Sequence, residues 1–441
     1  MQRVAVIGAG LAGLTCAYRL SQYGFDVQVF EARKRLGGRV FSLNTDSSFE
    51  ELGGKNINDG GEAPHILKLI DQFDLDLTID QIPFSMNVLD GEKIVSIKEL
   101  FKGKKILQGD DLDQLKPLIQ SKKNLGEVLK EMFKDEPLLF RYLSLRISCY
   151  EGSSIYKLDT GYFYFGFLDV YNQMVEKVTS DNLGLYEMKS ITGGNAKLVE
   201  ALGKKLKGKI HTEQPLRKIA FRNRGVQITL DKEYQFDRVV LAIPSSCLKD
   251  IEFEEGVLEE DHYQAIDTIQ MGTNAKLMIP VKSNQSEEGF AMLNSTATWR
   301  NHDKSIMTIY FAGKENPINN REKSYLQAQK ELALVFGVDG MSEEIEIVPD
   351  IAQSTYHHSR SLAMDWNKER YTQGSYSTFA PNTLDFFEQS TKLCGANIRK
   401  VFRPIQNKLF FAGEYLVFKA QATLEGAVES GEIIAKAILS C

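Results

Sequence analysis

A glycine-rich turn near the start of the chain is the feature that most constrains its fold. The apolar run at residues 4–7 leads directly into Gly8-Ala9-Gly10-Leu11-Ala12-Gly13, which opens a helical pattern over residues 11–24. A second apolar run, residues 27–30, ends at Glu31. Strand, turn, helix and strand in this order predict a βαβ unit, with two parallel strands and a crossover helix.

The spacing of the three glycines matches a dinucleotide-binding turn. Gly8 permits the tight turn, Gly10 lets the backbone approach a pyrophosphate, and Gly13 lets the helix pack closely on the strand. Glu31 stands where a carboxylate accepts hydrogen bonds from both ribose hydroxyls of an adenosine, and it would repel a 2'-phosphate. The unit therefore indicates FAD or NAD, and the competing interpretation is a plain glycine turn with a solvent-facing Glu31.

Composition excludes several other classes of protein. The 441 residues, 43% of them hydrophobic, suffice for two or three folding units with apolar cores. The net charge of -6 gives no reason to expect nucleic-acid binding. The start of the chain resembles a buried strand more than a signal peptide, and no apolar run is long enough to span a membrane, so we expect a cytoplasmic protein. The five cysteines have no metal-ligand spacing, and we expect no metal site.

The pattern changes character along the chain. Residues 110–190 read as helical and include many aromatic side chains, which favour ordinary core over a substrate cavity. Residues 266–350 read as rich in strands. The remaining α/β elements that we predict are a helix over 196–206, a strand over 239–243, a strand over 409–412 and a helix over 424–439.

The residues after Glu31 indicate which of the two dinucleotides, FAD or NAD, the chain binds. Gly37-Gly38-Arg39 supplies a second pair of glycines beside a cation, so that two loops can clamp one diphosphate. The box Glu31-Ala32-Arg33-Lys34-Arg35-Leu36-Gly37-Gly38-Arg39 resembles that of the flavin-containing amine oxidases, which include monoamine oxidase and polyamine oxidase. The resemblance continues in Glu51-Leu52-Gly53-Gly54, Gly193-Gly194, Pro215-Leu216, Ala242-Ile243-Pro244, Phe411-Ala412-Gly413-Glu414 and Leu424-Glu425-Gly426-Ala427.

This resemblance covers nearly the whole chain and implies an α/β, amine-oxidase-like fold. It implies a discontinuous FAD-binding domain of the Rossmann type, formed by residues 1–65, 188–265 and 373–441. A mixed α+β substrate domain is expected at 66–187 and 266–372. The residues that the motifs place at FAD are Gly8, Gly10, Leu11, Ala12, Gly13, Glu31, Ala32, Arg33, Gly37, Gly38, Arg39, Gly53, Gly54, Lys55, Asn56, Leu216, Ala242, Gly413, Glu414, Thr423, Leu424 and Ala427.

The resemblance also implies a reaction site. A lysine at the position of Lys276 holds a water against flavin N5 in this family, although a lone lysine on a strand is often solvated. Trp366 and Tyr376 fall in the family's W…G-x-Y box and approach the flavin, with Tyr376 as one wall of an aromatic cage. Ser375 stands where covalent members carry a cysteine, so we expect non-covalent FAD. Thr423 replaces the second cage aromatic.

These features favour an enzyme that oxidises a C–N bond of an amine to an imine. A hydride equivalent would pass to flavin N5, and O2 would reoxidise the flavin and yield H2O2. The arginine that amino acid oxidases place after the second glycine box is replaced here by Lys55-Asn56-Ile57. Two alternatives stay open: a flavin desaturase or dehydrogenase resembling protoporphyrinogen oxidase or phytoene desaturase, and a non-catalytic module resembling the GDP-dissociation inhibitors.

Overall fold

The computed structural model describes residues 2–44, 49–58, 61–83, 87–181, 185–281, 289–301, 305–313, 318, 321–337, 345–347 and 361–440. The α-helices in these ranges are α1 (Leu11–Gln22), α2 (Pro64–Gln72), α3 (Ile97–Leu100), α4 (Asp110–Ser121), α5 (Leu125–Met132), α6 (Pro137–Glu151), α7 (Leu168–Thr179), α8 (Ala196–Lys205), α9 (Glu260–Thr268), α10 (Arg321–Phe336), α11 (Leu384–Phe387) and α12 (Leu424–Leu439). A π-helical turn, Phe163–Phe167, leads directly into α7.

The strands follow the same chain order. They are β1 (Arg3–Ile7), β2 (Asp26–Phe30), β3 (Ser42–Asn44), β4 (Phe49–Glu51), β5 (Leu77–Pro83), β6 (Asn87–Asp90), β7 (Lys93–Ser96), β8 (Leu185–Ile191), β9 (Ile210–His211), β10 (Lys218–Arg222), β11 (Gly225–Thr229), β12 (Glu233–Phe236), β13 (Arg238–Leu241), β14 (Glu252–Phe253), β15 (Gln270–Met271), β16 (Ala275–Pro280), β17 (Phe290–Met292), β18 (Ala297–Arg300), β19 (Ile306–Phe311), β20 (Ile345–Ile347), β21 (Ser361–Asp365), β22 (Ser377–Thr378), β23 (Ser390–Leu393), β24 (Ala396–Arg399) and β25 (Leu409–Phe411).

The predicted βαβ unit lies at the centre of a parallel sheet. This sheet has five strands in the order β25-β13-β1-β2-β9. All four pairings are parallel, and Ile7 lies beside both Phe30 and Leu241. The strands end together at one edge because parallel neighbours share a direction, and ligands of such sheets bind outside that carboxyl edge. The predicted elements at both ends of the chain are confirmed.

Helix α12 packs against α1 at very short range. A Cβ at Gly431 would lie 2.5 Å from the carbonyl oxygen of Ala12, so only a glycine allows this approach. The contact joins the last helix of the chain to the first and carries the start of α12 toward the glycine turn. The sheet order and this contact together make one nucleotide-binding body from segments that are far apart in the sequence.

A second sheet lies in the other half of the molecule. It has eight strands in the order β20-β21-β16-β19-β18-β17-β6-β7, most of them antiparallel. Phe41, Leu43 and Leu52, from the β3–β4 region, form an apolar cluster with side chains of β16 and β21. This cluster fixes the loop after β4 against β16, and that contact determines where Lys276 points.

The aromatic-rich segment is divided between core and surface. Four of its side chains are buried: Tyr162, Phe163, Phe167 and Tyr171. Four others are exposed: Tyr150, Tyr156, Tyr164 and Phe165. The expectation of ordinary core therefore holds for only part of this cluster, because Tyr150, Tyr162 and Phe165 line the cavity described in the next subsection.

The division into domains stays a proposal. The proposed boundary between 187 and 188 falls within β8, which pairs along its length with β5. Concerning membranes, no helix in the described ranges has both the length and the apolar composition required to span a bilayer.

Candidate active site

A cavity of about 1540 Å³ runs from the glycine turn to the eight-stranded sheet. It exceeds the roughly 300–1,000 Å³ that is usual for a pocket for one small ligand. Lys276, Trp366 and Tyr376 line it, as do all of the predicted cofactor residues except Gly13. Gly13 has a packing role instead, because a Cβ there would lie 2.0 Å from the carbonyl oxygen of Gly8. The roles of the lining residues in binding stay predictions.

At one end of the cavity, Glu31 is fixed by backbone amides. Its side chain is buried, with one oxygen accepting a hydrogen bond from the amide of Ala9 at 2.8 Å and the other from the amide of Arg33 at 2.9 Å. The interpretation of Glu31 as a solvent-facing side chain is therefore wrong. Each carboxylate oxygen has a second lone pair, so the group can still accept hydroxyl hydrogen bonds from a ribose.

The glycine turn forms an open cradle beside Glu31. Gly8 has φ of +103°, and a Cβ there would lie 2.4 Å from the carbonyl oxygen of Ala242. At Gly10 the nearest atom to such a Cβ is 4.0 Å away, so the space over Gly10 belongs to the cavity. Gly10 provides no side-chain cap for α1. The unpaired amides at the start of α1 thus face space that suits a phosphate.

Arg39 extends from the second glycine loop to the end of the chain. Its Nη1 donates to the carbonyl oxygen of Ser375 and to Oε1 of Glu414, both at 2.8 Å. Glu414 is buried and also accepts hydrogen bonds from the Ser377 hydroxyl at 2.6 Å and the Ala422 amide at 3.1 Å. One carboxylate therefore holds together three segments that border the cavity.

A buried ion pair joins the loop after Glu31 to the segment that carries the predicted reaction residues. The Arg33 guanidinium donates through Nε to Glu369 at 3.1 Å and pairs with the same carboxylate through Nη2. Burial lowers the pKa of Arg33, but the bonds to Glu369 outweigh that effect and raise it. Glu369 also accepts from the Thr372 hydroxyl at 2.6 Å. The ribose end of the cavity is thus linked to residues 366–376.

Lys276 is a buried cation at the other end of the cavity. Only 5% of the residue is exposed, which excludes the solvated lysine considered above. Its Nζ donates to the carbonyl oxygens of Glu51 at 2.6 Å and Gly53 at 2.7 Å. The ammonium also lies 5.5 Å from the ring centroid of Trp299, within cation–π range. These contacts hold a positive charge at a fixed point of the cavity wall.

Trp366 and Tyr376 are both fixed by hydrogen bonds to backbone carbonyls. The Trp366 indole donates to Leu52 at 3.0 Å. The Tyr376 hydroxyl lies 3.1 Å from the carbonyl oxygens of both Cys149 and Tyr150, at the end of α6. Burial raises the pKa of Tyr376 well above its usual value, so this phenol stays neutral. The structure thus brings all three predicted catalytic residues to one cavity.

The start of α12 also borders this part of the cavity. Thr423 caps the helix, since its hydroxyl accepts a hydrogen bond from the Gly426 amide at 3.0 Å. Thr423, Leu424 and Ala427 line the cavity. The positive end of the helix therefore borders the cavity, and we predict that it stabilises the negative charge of a reduced flavin.

Sequence reasoning missed the residues of the wall that faces Tyr376. The sheet contributes Phe290, Trp299 and Tyr310, and α6 contributes Arg146 and Glu151. Trp299 and Tyr310 lie 5.3 Å apart between ring centroids. Alternation along the strands indicates which residues share a face, but which face borders a cavity depends on contacts between distant elements. No motif surrounds Glu151.

Lys55 does not present an unpaired cation to the cavity. Its Nζ lies 3.1 Å from Oε1 of the buried Glu50. A cation that already has a carboxylate partner is a poor receptor for a second carboxylate. This agrees with the expectation that the position does not work as the amino acid oxidase arginine does.

Glu259, Asp261 and His262 form a group outside the cavity, with their potential ligand atoms within 4.8 Å of one another. Arg403 already donates to both carboxylates, at 2.6 Å in the case of Asp261. The arrangement is an ion-pair cluster around an arginine.

The cavity as a whole fits a flavin dinucleotide. The open space over Gly10 and the uncapped start of α1 suit the pyrophosphate, and Glu31 suits the adenosine ribose. The start of α12 and the Lys276 ammonium suit the negative charge of a reduced isoalloxazine. The cavity volume leaves room for a substrate beyond the dinucleotide.

Comparisons with known proteins agree with this geometry. The sequence profile described as flavin containing amine oxidoreductase matches residues 11–439. Lysine-specific histone demethylase 1 homolog 2 of Arabidopsis thaliana is 25% identical over 97% of this chain, which spans 57% of that protein. The L-amino-acid oxidase of Demansia vestigiata is 22% identical over 98% of this chain and 85% of its own length. Cyclohexylamine oxidase from Brevibacterium oxydans IH-35A has a similar structure, with a TM-score of 0.77, 18% identity and coverage of 100% and 99%.

Because the profile covers nearly the whole chain, this protein belongs to the flavin-containing amine oxidoreductase family. It is an FAD-dependent oxidoreductase with the amine-oxidase-like α/β fold predicted from the sequence. The alternative of a non-catalytic binding module is set aside.

Proposed function

We propose that this enzyme oxidises a C–N bond of an amine to an imine, with hydride transfer to flavin N5 and reoxidation by O2 to give H2O2. The observation that carries the proposal is the continuity of one cavity from the dinucleotide cradle to Lys276, Trp366 and Tyr376. Bound FAD supplies the hydride acceptor, and the protein supplies position, desolvation and charge.

The side chains of the reaction end have separate tasks in this proposal. The Lys276 ammonium stabilises negative charge on the reduced flavin and assists the reaction with O2. Tyr376 and Trp366 form rigid walls, because each is hydrogen-bonded to a backbone carbonyl. The rings confine the carbon that loses the hydride to the neighbourhood of the flavin. A cytoplasmic location stays a prediction.

Thr423 makes the cavity asymmetric. Where a second aromatic wall would face Tyr376, this chain has a small residue whose hydroxyl is used for capping α12. Tyr162 and Phe165 also line the cavity. We infer that the enzyme accepts amines bulkier than a simple arylalkylamine.

The proposed flavin linkage is non-covalent. Ser375 lines the cavity beside Tyr376, and its hydroxyl oxygen has no hydrogen-bond partner among the described residues. A serine hydroxyl is a much weaker nucleophile than a thiolate, so it does not add to the flavin as a cysteine would. Trichloroacetic acid should therefore release all of the flavin into the supernatant.

A spectrum of the purified protein is the first test. We expect visible flavin bands that bleach under anaerobic conditions with a member of a panel of diamines, polyamines, cycloalkylamines, arylalkylamines and amino acids. Admission of air should restore the bands and generate H2O2, measured by a peroxidase-coupled assay. Bleaching that air does not reverse would contradict O2 as the acceptor.

A second candidate, a flavin desaturase or dehydrogenase for a large apolar substrate, is favoured by the volume of the cavity and by the small Thr423 in its lining. The same experiment separates the two. A flavin that no amine reduces, but that dithionite reduces normally, would support the desaturase and refute amine oxidation.

A further inference from the structure

Glu151 is the last residue of α6 and lines the reaction end of the cavity. The two preceding residues, Cys149 and Tyr150, supply the carbonyls that hold the Tyr376 hydroxyl. The next residue, Gly152, packs on the Tyr376 ring so closely that a Cβ there would lie 2.6 Å from it. The backbone on both sides of Glu151 is therefore braced against the aromatic wall of the site.

The carboxylate occupies a space provided by a second glycine. A Cβ at Gly166 would lie 2.5 Å from Oε1 of Glu151, so this position must lack a side chain for the carboxylate to stand where it does. Gly166 belongs to the π-helical turn Phe163–Phe167. Such turns are rare and often occur at functional sites. Two local features thus set the position of one carboxylate at the cavity.

Glu151 has neither a hydrogen-bond nor an ion-pair partner in the described part of the chain. The titratable groups that face it from other elements are the phenols of Tyr162 and Tyr376, whose pKa values burial raises well above the usual value. Arg146, on the same helix, lies over the rings of Tyr150 and Phe290. Burial raises the pKa of Glu151 to about 7 without a cation to offset it.

A proton acceptor at this place would serve amine oxidation at neutral pH. An aliphatic amine is an ammonium ion at neutral pH, as the lysine side chain illustrates, and it can donate a hydride only after losing a proton from nitrogen. Lys276 in its ammonium form cannot take that proton, because an ammonium nitrogen has no free lone pair. The neutral phenols of Tyr162 and Tyr376 cannot accept the proton either, because a protonated phenol is a very strong acid. The Glu151 carboxylate lines the same cavity and can accept a proton.

We propose that Glu151 is the proton acceptor for the substrate's ammonium group, an inference that rests on the proposed amine oxidation. One N–H bond of the ammonium breaks and leaves its electron pair on nitrogen, while an O–H bond forms on the Glu151 carboxyl. The step needs no oxidant or further reactant. The carboxylic acid loses its proton to solvent after the product leaves.

The pH dependence follows from the ionisation of Glu151. The carboxylate accepts a proton above pH 7 and is itself protonated below it, so the rate constant of anaerobic flavin reduction should fall as the pH drops through about 7. The pH at which the rate constant falls should be the same for amines of different basicity, because it is set by Glu151 and not by the substrate.

The test uses the holoenzyme and the amine that bleaches it. In Glu151→Gln we expect flavin reduction at pH 7 to slow about 100-fold, and the fall in rate near pH 7 should disappear from the pH profile. At high pH the rate should recover, because the solution then supplies neutral amine. Gly166→Ala keeps the carboxylate but displaces its flexible end, and should lower the rate without unfolding the protein. Asp135→Asn, which removes an exposed carboxylate just before α6, is the control and should match the wild type.

A binding measurement tests the same step without turnover. tert-Butylamine has no hydrogen on the carbon bearing nitrogen and cannot be oxidised, and its binding can be followed by the flavin spectrum. At pH 8 the wild type should bind it without net proton release, because the proton stays on Glu151. Glu151→Gln should release about one proton per bound amine to a pH indicator in weak buffer.

Three outcomes would overturn the proposal. An unchanged pH limb in Glu151→Gln would remove Glu151 as its source. If Glu151→Gln slows only diamines and polyamines, Glu151 binds the substrate's second ammonium group, away from the oxidised carbon, instead of accepting a proton. Equal proton release by wild type and variant would exclude internal transfer. Failure of every amine to reduce the wild-type flavin would refute the amine oxidation itself, whereas the first three outcomes leave it standing.

Discussion

At the scale of single residues, the environment of Lys276 decides what its ammonium can do. Two of its three protons are directed at the carbonyl oxygens of Glu51 and Gly53, and the Trp299 ring lies beside it. The charge is buried, and the field of a charge is stronger in such low-dielectric surroundings than in water. A fixed, desolvated cation is well suited to stabilise negative charge that develops on flavin and O2.

Replacing this cation should affect the oxidative half of the reaction most. In Lys276→Met we expect the reaction of reduced flavin with O2 to slow about 100-fold, while anaerobic reduction by amine changes much less. Stopped-flow mixing of the reduced enzyme with oxygenated buffer measures this. Lys276→Arg retains the charge and should keep more of the rate. If flavin reduction by amine and flavin oxidation by O2 slow equally, Lys276 acts chiefly by supporting the fold.

At the scale of elements, α12 performs two structural tasks at the cavity. Its start is capped by Thr423 and borders the cavity, and its middle packs on α1 through Gly431. Both tasks depend on small residues: the cap needs the hydroxyl of Thr423, and the close packing needs the absence of a side chain at Gly431. The position of α12 therefore responds to changes that look minor in the sequence.

Loss of the cap should weaken the start of α12. Thr423→Ala removes the oxygen that accepts from the Gly426 amide, and we expect a loss of about 1 kcal/mol in the free energy of unfolding. Urea unfolding of the holoenzyme measures it, together with the fraction of FAD retained after gel filtration. Thr423→Ser keeps the hydroxyl and should behave as the wild type. A stable Thr423→Ala protein would show that the cap is dispensable.

A side chain at Gly431 should force α12 away from α1. The Cβ of Gly431→Ala would approach the Ala12 carbonyl, a backbone atom that cannot move aside alone, and we expect a loss of about 1–3 kcal/mol. FAD retention should fall as well, because Ala12 belongs to the dinucleotide turn. The matched control is Gly203→Ala in α8, where the nearest atom is a flexible end of Leu36 at 3.0 Å. A similar loss in both variants would refute the close-packing argument.

At the scale of the whole molecule, the buried pair of Arg33 and Glu369 connects residues that are 336 positions apart. Both side chains are about 95% excluded from solvent, so removing Glu369 leaves the buried Arg33 with only its longer contact to Glu31, at 3.5 Å. Measured costs of such a change are about 3–5 kcal/mol. The pair ties the loop after Glu31, which we predict to lie at the adenosine, to the segment with Trp366 and Tyr376, and it should couple FAD binding to the order of the reaction site.

Disrupting this pair should therefore weaken both stability and cofactor affinity. We expect Glu369→Gln to lose about 3 kcal/mol in unfolding free energy and to bind FAD at least tenfold more weakly. The double variant Arg33→Met/Glu369→Gln removes both charges and should recover part of each loss. Urea unfolding and FAD titration by fluorescence measure the two quantities. Losses that simply add in the double variant would show that the two charges do not interact.

The βαβ unit and its site could be predicted from the sequence because every necessary part is local. The strands, the glycine turn, α1 and Glu31 lie within 31 residues, and their spacing alone predicts where an anion and a ribose bind. The helix at 424–439 was predicted from its apolar pattern in the same way, and the structure confirms it. Longer motifs carried the resemblance to the family, which the profile match confirms.

The reaction end of the cavity was decided by the tertiary structure. Lys276 finds its carbonyl partners 225 and 223 residues away, and Arg33 finds Glu369 across most of the chain. Glu151 has no motif at all, and its importance comes from Gly166, from the Tyr376 wall and from burial. Spacing along a sequence determines hydrogen bonds within a turn or helix, whereas burial and charge at a site depend on which distant elements pack together.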